Sequence, residues 1–112
     1  MMTLGEVVKA LDLKVLVGKE FLGRAVSGAY ASDVLSDVLA HSDKGNVWVT
    51  VQIHPNVSAV ATAKDLAAVI IANGRSPETD TLKKAEQKKL PILSSPLSTY
   101  KVAGKLYELG IG

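Results

Sequence analysis

The most restrictive feature of this sequence is a threefold alternation in its second half. Three aliphatic runs, Asn46 to Ile53, Ala67 to Ala72 and Ile92 to Ser94, are each followed by a segment with helix signals. The first run carries Val47, Val49, Val51 and Ile53 with Trp48 and Thr50 between them, a composition that suits a strand. The second is apolar throughout, as a strand buried on both faces must be. Such strands, joined by helices, build a parallel sheet with right-handed crossovers. The predicted fold is α/β: a single three-layer domain with a mainly parallel sheet flanked by helices. At 112 residues the chain has room for one domain. Roughly two thirds of its unfolded surface can be buried, enough for a core without disulfides or metal.

Local signals fill in the elements. Thr3 to Leu11 reads as an amphipathic helix capped by Thr3, with Leu4, Val7, Val8 and Leu11 at helical spacing. Leu13 to Val17 is a strand stopped by Gly18, followed by a loop to Gly23. Ala25 to Ala31 is a weaker strand interrupted by Gly28. Ser32 is placed to cap a helix from Asp33 to about His41. His54-Pro55-Asn56 forms a turn in which Asn56 caps a helix from Val57 to about Lys64. Asn73-Gly74 closes the next strand. Ser76-Pro77-Glu78 opens a helix to about Lys89, and Ser95-Pro96 opens the last helix. That helix offers Leu97, Tyr100, Val102, Ala103, Leu106, Tyr107 and Leu109 as its apolar face before Gly110 ends it.

Several function classes are excluded by what is missing. A formal charge of +2 is too small for a nucleic-acid binder. The densest basic run, Lys83, Lys84, Lys88 and Lys89, is broken by Glu86 and has no aromatic residue, so it reads as a solvated helix face. With no cysteine there is no thiolate metal site, iron–sulfur ligation or cysteine nucleophile. No cofactor is expected. The longest apolar run, Leu66 to Ala72, is far short of the ~20 residues of a membrane span. No basic signal region precedes it at the N-terminus, and a soluble, cytoplasmic protein is expected.

Gly18 to Ala25 has the glycine spacing of a phosphate loop, but Arg24 and Ala25 stand where lysine and a hydroxyl residue belong. The tandem repeat from Ser32 to Leu39 stacks Val34 on Val38 and Leu35 on Leu39 if helical, giving a buried stripe. It also sets Asp33 and Asp37 on one face, either as a cap with a solvated face or as a functional carboxylate pair. His41 suits a helix C-terminus. His54 ends a central strand beside a helix start, where backbone N–H groups favour an anion; a structural turn residue is the competing reading. No nucleophile, metal cluster or acid–base pair emerges, so an enzyme is not expected.

In an open parallel sheet, ligands bind outside the carboxyl ends of the strands. Small polar residues assigned to those ends are Ser27, Gly28, Ser32 and Asp33, then His54 and Asn56, then Asn73 and Gly74, then Ser94 and Ser95. Together they outline a site for a nucleotide or other phosphorylated metabolite, with Arg24 neutralising charge and Ser27, Ser32 and Asn56 donating hydrogen bonds. The same residue types also serve as ordinary turn and cap residues. The competing function is a protein-interaction or assembly module without a small ligand, using Tyr100, Leu106 and Tyr107 or the strand around Trp48. Mildly positive mean hydropathy in so small a chain further predicts a homodimer that covers leftover apolar surface.

Leu22-Gly23-Arg24-Ala25-Val26-Ser27-Gly28-Ala29-Tyr30-Ala31-Ser32-Asp33 resembles the DRTGG domain family. Gly45 to Thr50, His54-Pro55-Asn56, Ile70 to Gly74 and Leu90 to Ser94 are similar to it as well. Of the name-giving motif the chain keeps Arg24 and Gly28, with Gly23 for the aspartate, Ser27 for the threonine and Ala29 for the second glycine. The resemblance implies a non-catalytic regulatory or interaction module, often dimeric, of the kind found beside CBS domains. It is similar to the N-terminal domain of HPr kinase/phosphorylase, the part that lacks the phosphate loop. Free-standing members occur near iron-hydrogenase genes, which implies an association with those systems.

Overall fold

The computed structural model describes residues 2–112. Eleven short elements follow one another: helix α1 (Leu4–Leu11), strand β1 (Lys14–Val17), a single 3₁₀ turn (Lys19–Phe21), β2 (Gly28–Ala31) and α2 (Leu35–His41). Then come β3 (Asn46–Thr50), α3 (Asn56–Ala63), β4 (Ala68–Ile71), α4 (Thr79–Gln87), β5 (Ile92–Ser94) and α5 (Thr99–Glu108). The five strands form one sheet in the order β1-β5-β4-β3-β2. β2, β3, β4 and β5 are parallel, and β1 joins the far edge antiparallel to β5. This is the α/β architecture that the alternation predicts.

The pleat divides each strand between two cores. Val47 and Val49 of β3, Ile70 of β4 and Leu93 of β5 pack with Leu4, Val7, Val102 and Leu106 of α1 and α5. Trp48, Val69, Ile71 and Ile92 point the other way, against Val38, Val57, Ala61 and Ala85 of α2, α3 and α4. All five β3 residues are buried. Each large aliphatic side chain covered in this way contributes about 1.5–3 kcal/mol. Trp48, a candidate contact residue in the sequence, is fully covered, and its indole N–H donates to the Ser32 carbonyl at 2.7 Å. It belongs to the core and offers nothing to a partner.

Other boundaries shift for identifiable reasons. Gly28 begins β2 instead of interrupting a longer strand. α2 begins at Leu35, two residues later than the Asp33 start, because the Ser32 hydroxyl accepts from Val34 N and closes a two-residue turn instead of capping. Ser95 behaves the same way, accepting from Leu97 N at 3.1 Å, so Ser98 is the cap of α5. Asn56 is the first residue of α3 and not its cap. The stripe of four along α2 is only partly buried: Val38 is covered and Leu35 packs at its edge, while Val34 and Leu39 are exposed. Val34 precedes the helix, and Leu39 is turned ~100° away from Val38. On α5, Val102 and Leu106 face the sheet, so Tyr100 and Tyr107 point outward and are 85% and 77% exposed.

Candidate functional site

At the carboxyl end of the sheet, β2 and β3 are tied together by Asp33. Its Oδ1 accepts from the buried Thr50 hydroxyl at 2.8 Å and from Val51 N at 2.9 Å. Gln52 Nε2 donates to the Asp33 carbonyl, and Gln52 N donates back to Thr50 Oγ1. The loops after β4 and β5 are stitched by backbone: Asn73 N to Leu97 O at 2.7 Å and Gly74 N to Ser95 O at 2.9 Å. Asn73 and Gly74 both adopt positive φ to make this turn. Arg75 then reaches across, Nη1 donating to Val51 O at 2.7 Å, and joins the two halves.

The sequence-predicted residues fall into two groups. Ser32, Asp33, His54, Asn56 and Ser94 do lie on the loops and strand ends at the carboxyl end. His54 Nδ1 accepts from Asn56 N at 3.1 Å, which orients the ring against the start of α3. Val57 N and Ser58 N bond back to His54 O and Pro55 O at 3.0 Å, so the first amides of α3 are already occupied. Arg24, Ser27 and Gly28 lie at the opposite, amino-terminal end, since Gly28 pairs in register with Asn46 at the start of β3. At ~3.3 Å per residue, about 13 Å separates Gly28 from Ser32 along the strand. The eight predicted residues therefore do not line one pocket.

At that amino-terminal end Ser27 is structural. Its hydroxyl donates to Lys44 O at 2.6 Å and accepts from Asn46 Nδ2, closing the loop into β3. Gly45 sits at φ 82°, where a Cβ would stand 2.8 Å from Ser27 Oγ, so only glycine fits. The guanidinium at the carboxyl end belongs to Arg75, which the sequence reading did not select. Its position directly after Asn73-Gly74 was the available signal.

Asp33 and Asp37 do not share a helix face, because Asp33 precedes α2. Asp37 instead accepts from Tyr30 Oη at 2.8 Å and lies 3.0 Å from His41 Nδ1, pinning α2 to β2. The Tyr30 hydrogen bond, then that of Ser32, holds the Asp37 carboxyl below its ordinary range; the same bond pushes the Tyr30 phenol up. Among the described residues there is no group of three or more His, Asp or Glu able to hold a metal ion, and no helix long and apolar enough to cross a membrane.

Open surface lies elsewhere. β2 is an edge strand, and Gly28–Ala31 carries neither charge nor proline. Beside it an apolar groove of about 250 Å³ is lined by Ala29, Ala31, Val49, Ala103 and Tyr107. Gly104 stands mid-helix on α5 with nothing within 4 Å of its Cβ direction.

The sequence matches the DRTGG domain over residues 6–109. The chain belongs to the DRTGG domain family. Its fold matches the crystal structure of the CBS and DRTGG domains of the regulatory region of Clostridium perfringens pyrophosphatase, complexed with the activator diadenosine tetraphosphate. That match has a TM-score of 0.71 at 11% identity, and covers 93% of this chain and 45% of the other. No curated protein matches the sequence. DRTGG domains are regulatory modules, and the family resemblance read from Leu22 to Asp33 and the later stretches agrees with this match.

Proposed function

We propose that this DRTGG domain is a non-catalytic regulatory module that acts by association, with a second copy of the chain as its partner. The observation that carries this reading is the flank where the open edge of β2 meets α5. There, Tyr107 is 77% exposed beside an apolar groove. An uncharged edge strand presents unpaired N–H and C=O groups, and antiparallel pairing with its own copy satisfies both under a two-fold axis. At the carboxyl end, by contrast, Asp33, Thr50 and Gln52 are bonded to one another. Sedimentation equilibrium at micromolar protein tests the reading. A dimer mass that falls to the monomer on dilution supports it, and a monomer mass at every concentration overturns it.

A second reading rests on Arg75 and on the activator bound in the pyrophosphatase regulatory region. Here a nucleotide or other phosphorylated metabolite docks across the loops of Ser32, Asp33, His54, Asn56 and Ser94, with Arg75 meeting its charge. Arg75 is exposed and commits one N–H to Val51, leaving further donors facing solvent. A thermal-shift screen against nucleotides and phosphorylated metabolites tests it. Stabilisation that disappears in Arg75→Ala supports ligand binding, and no stabilisation at millimolar ligand removes it.

A further inference from the structure

Arg24 takes no part in either reading, yet its side chain is held in place. It leaves a backbone fixed by Leu4 N to Arg24 O at 2.8 Å and by the bridge between Thr3 and Ala25. The guanidinium lies 4.8 Å from the Phe21 ring centroid, a stacked cation–π contact. Nη2 donates to the Lys89 carbonyl at 2.6 Å, across the turn from α4 into β5. Lys89 itself adopts φ 57°, a left-handed turn that sets this carbonyl. Of five guanidinium donors, this is the one hydrogen bond formed among the described residues.

A cleft of about 60 Å³ opens at this place, lined by Arg24, Thr62, Asp65, Lys88 and Lys89 with Leu90 and two further apolar residues. That is about twice the ~30 Å³ a water occupies in the liquid, the size of one oxyanion group and far too small for a nucleoside. Lys88 and Lys89 are exposed and have no ion-pair partner among the described residues. The one acid, Asp65, is engaged by Lys44 at 3.4 Å. α3 and α4 both end nearby, and their C-termini contribute roughly half a negative charge each. Counted against Arg24, Lys44, Lys88 and Lys89, these leave an excess of about two positive charges.

We propose that this cleft, at the amino-terminal end of the sheet, binds a single phosphate group, free or carried as a monoester on a small metabolite. Arg24 supplies the fixed planar donors, Lys88 and Lys89 supply charge, and the Thr62 hydroxyl supplies a further hydrogen bond. The site is independent of the carboxyl-end ligand reading, which uses Arg75.

The test is a ¹H–¹⁵N titration of the full chain with inorganic phosphate and, separately, adenosine 5′-monophosphate, against sodium chloride at matched ionic strength. Saturable shifts confined to residues 24, 62 and 88–90 at low millimolar phosphate are expected, with the monoester matching or exceeding inorganic phosphate if a metabolite is the source. Arg24→Gln is expected to weaken binding at least tenfold. Lys88→Ala, which leaves the Arg24–Lys89 tether intact, is expected to weaken it severalfold, and Arg75→Ala to leave it unchanged. Shifts no larger than those from chloride, or equal affinity in Lys88→Ala and wild type, overturn the proposal.

Discussion

The carboxyl end of the sheet and the flank formed by β2 and α5 have solved opposite problems. At the carboxyl end the chain must dispose of polar groups, and it does so internally. Asp33 supplies a carboxylate to the buried Thr50 hydroxyl and the Val51 amide, and Arg75 binds the next carbonyl. No buried side-chain N or O atom lacks a hydrogen-bond partner among the described residues. On the flank the chain leaves an edge strand unpaired, an apolar groove open and Tyr107 in solvent. The difference is instructive: Asp33, Thr50 and Arg75 at the strand ends take part in the fold's own closure, while the β2 flank leaves backbone groups and apolar side chains uncovered.

The comparison breaks hardest at Asp33. Asp33→Ala strips the acceptor from a hydroxyl and an amide at once, and a loss of about 2–4 kcal/mol in urea unfolding is expected, since charge-assisted acceptors weigh most. Asp33→Asn keeps one carbonyl acceptor and falls well short of that loss. A change in Asp33→Ala below the ordinary scatter of surface substitutions, ~0.5 kcal/mol, shows that the carboxyl end is not closed in this way.

Gly104→Ala sharpens the contrast from the other side. An exposed helical glycine costs about 0.8–1 kcal/mol relative to alanine, so the monomer gains that much if nothing else depends on the gap. Gly104 lies beside Tyr100, Lys101 and Glu108 and outside the groove next to β2, so dimer affinity is expected to stay unchanged while stability rises. Tyr107→Ser is the smaller perturbation for folding, within about 0.5 kcal/mol, while its dimer dissociates at lower protein dilution. Unchanged sedimentation in Tyr107→Ser removes the flank from the association reading.

The pH dependence of α2 docking gives the mildest effect. Asp37 has a folded pKa below its ordinary 3.8, chiefly through the Tyr30 hydrogen bond. It therefore contributes stability above that ordinary value, lost as pH falls through the lower folded one. Tyr30 is raised above 10.0 by the same bond, so its contribution holds below pH 10 and is lost as pH rises through the higher folded value. Tyr30→Phe is expected to flatten both limbs of a stability-against-pH curve.

Much of this architecture was legible because periodicity reports burial directly. The runs around Val47, Ile70 and Ile92 are aliphatic because both faces are covered, and their alternation with helices fixes a parallel sheet. The site was less legible, for two physical reasons. β2 is four residues of Gly, Ala and Tyr with little period-two contrast, so placing its start a few residues early put Ser27 and Gly28 at the wrong end of the sheet. Ser32 and Ser95 carry the chemistry of a helix cap but close two-residue turns, whereas Ser98, three residues before Lys101 N, caps α5 as Thr3 caps α1. Asp33 pairing with Thr50 across 17 residues, and Tyr100 or Tyr107 facing out instead of in, depend on tertiary placement that local spacing does not encode.

The first strand is held by the last one. Lys14 faces Ser94 and Val15 faces Leu93, so the near edge of the sheet waits for a segment about eighty residues downstream. Contacts so distant along the chain are entropically slow to form. During synthesis the Lys14–Val17 segment is therefore without its partner until nearly the whole domain has left the ribosome. Released truncated chains that end before Ile92 are expected to be cut by protease near Val17, and chains that include β5 and α5 to resist. Assembly thus closes like a clasp, with commitment to the native state waiting on the last-made strand of the domain.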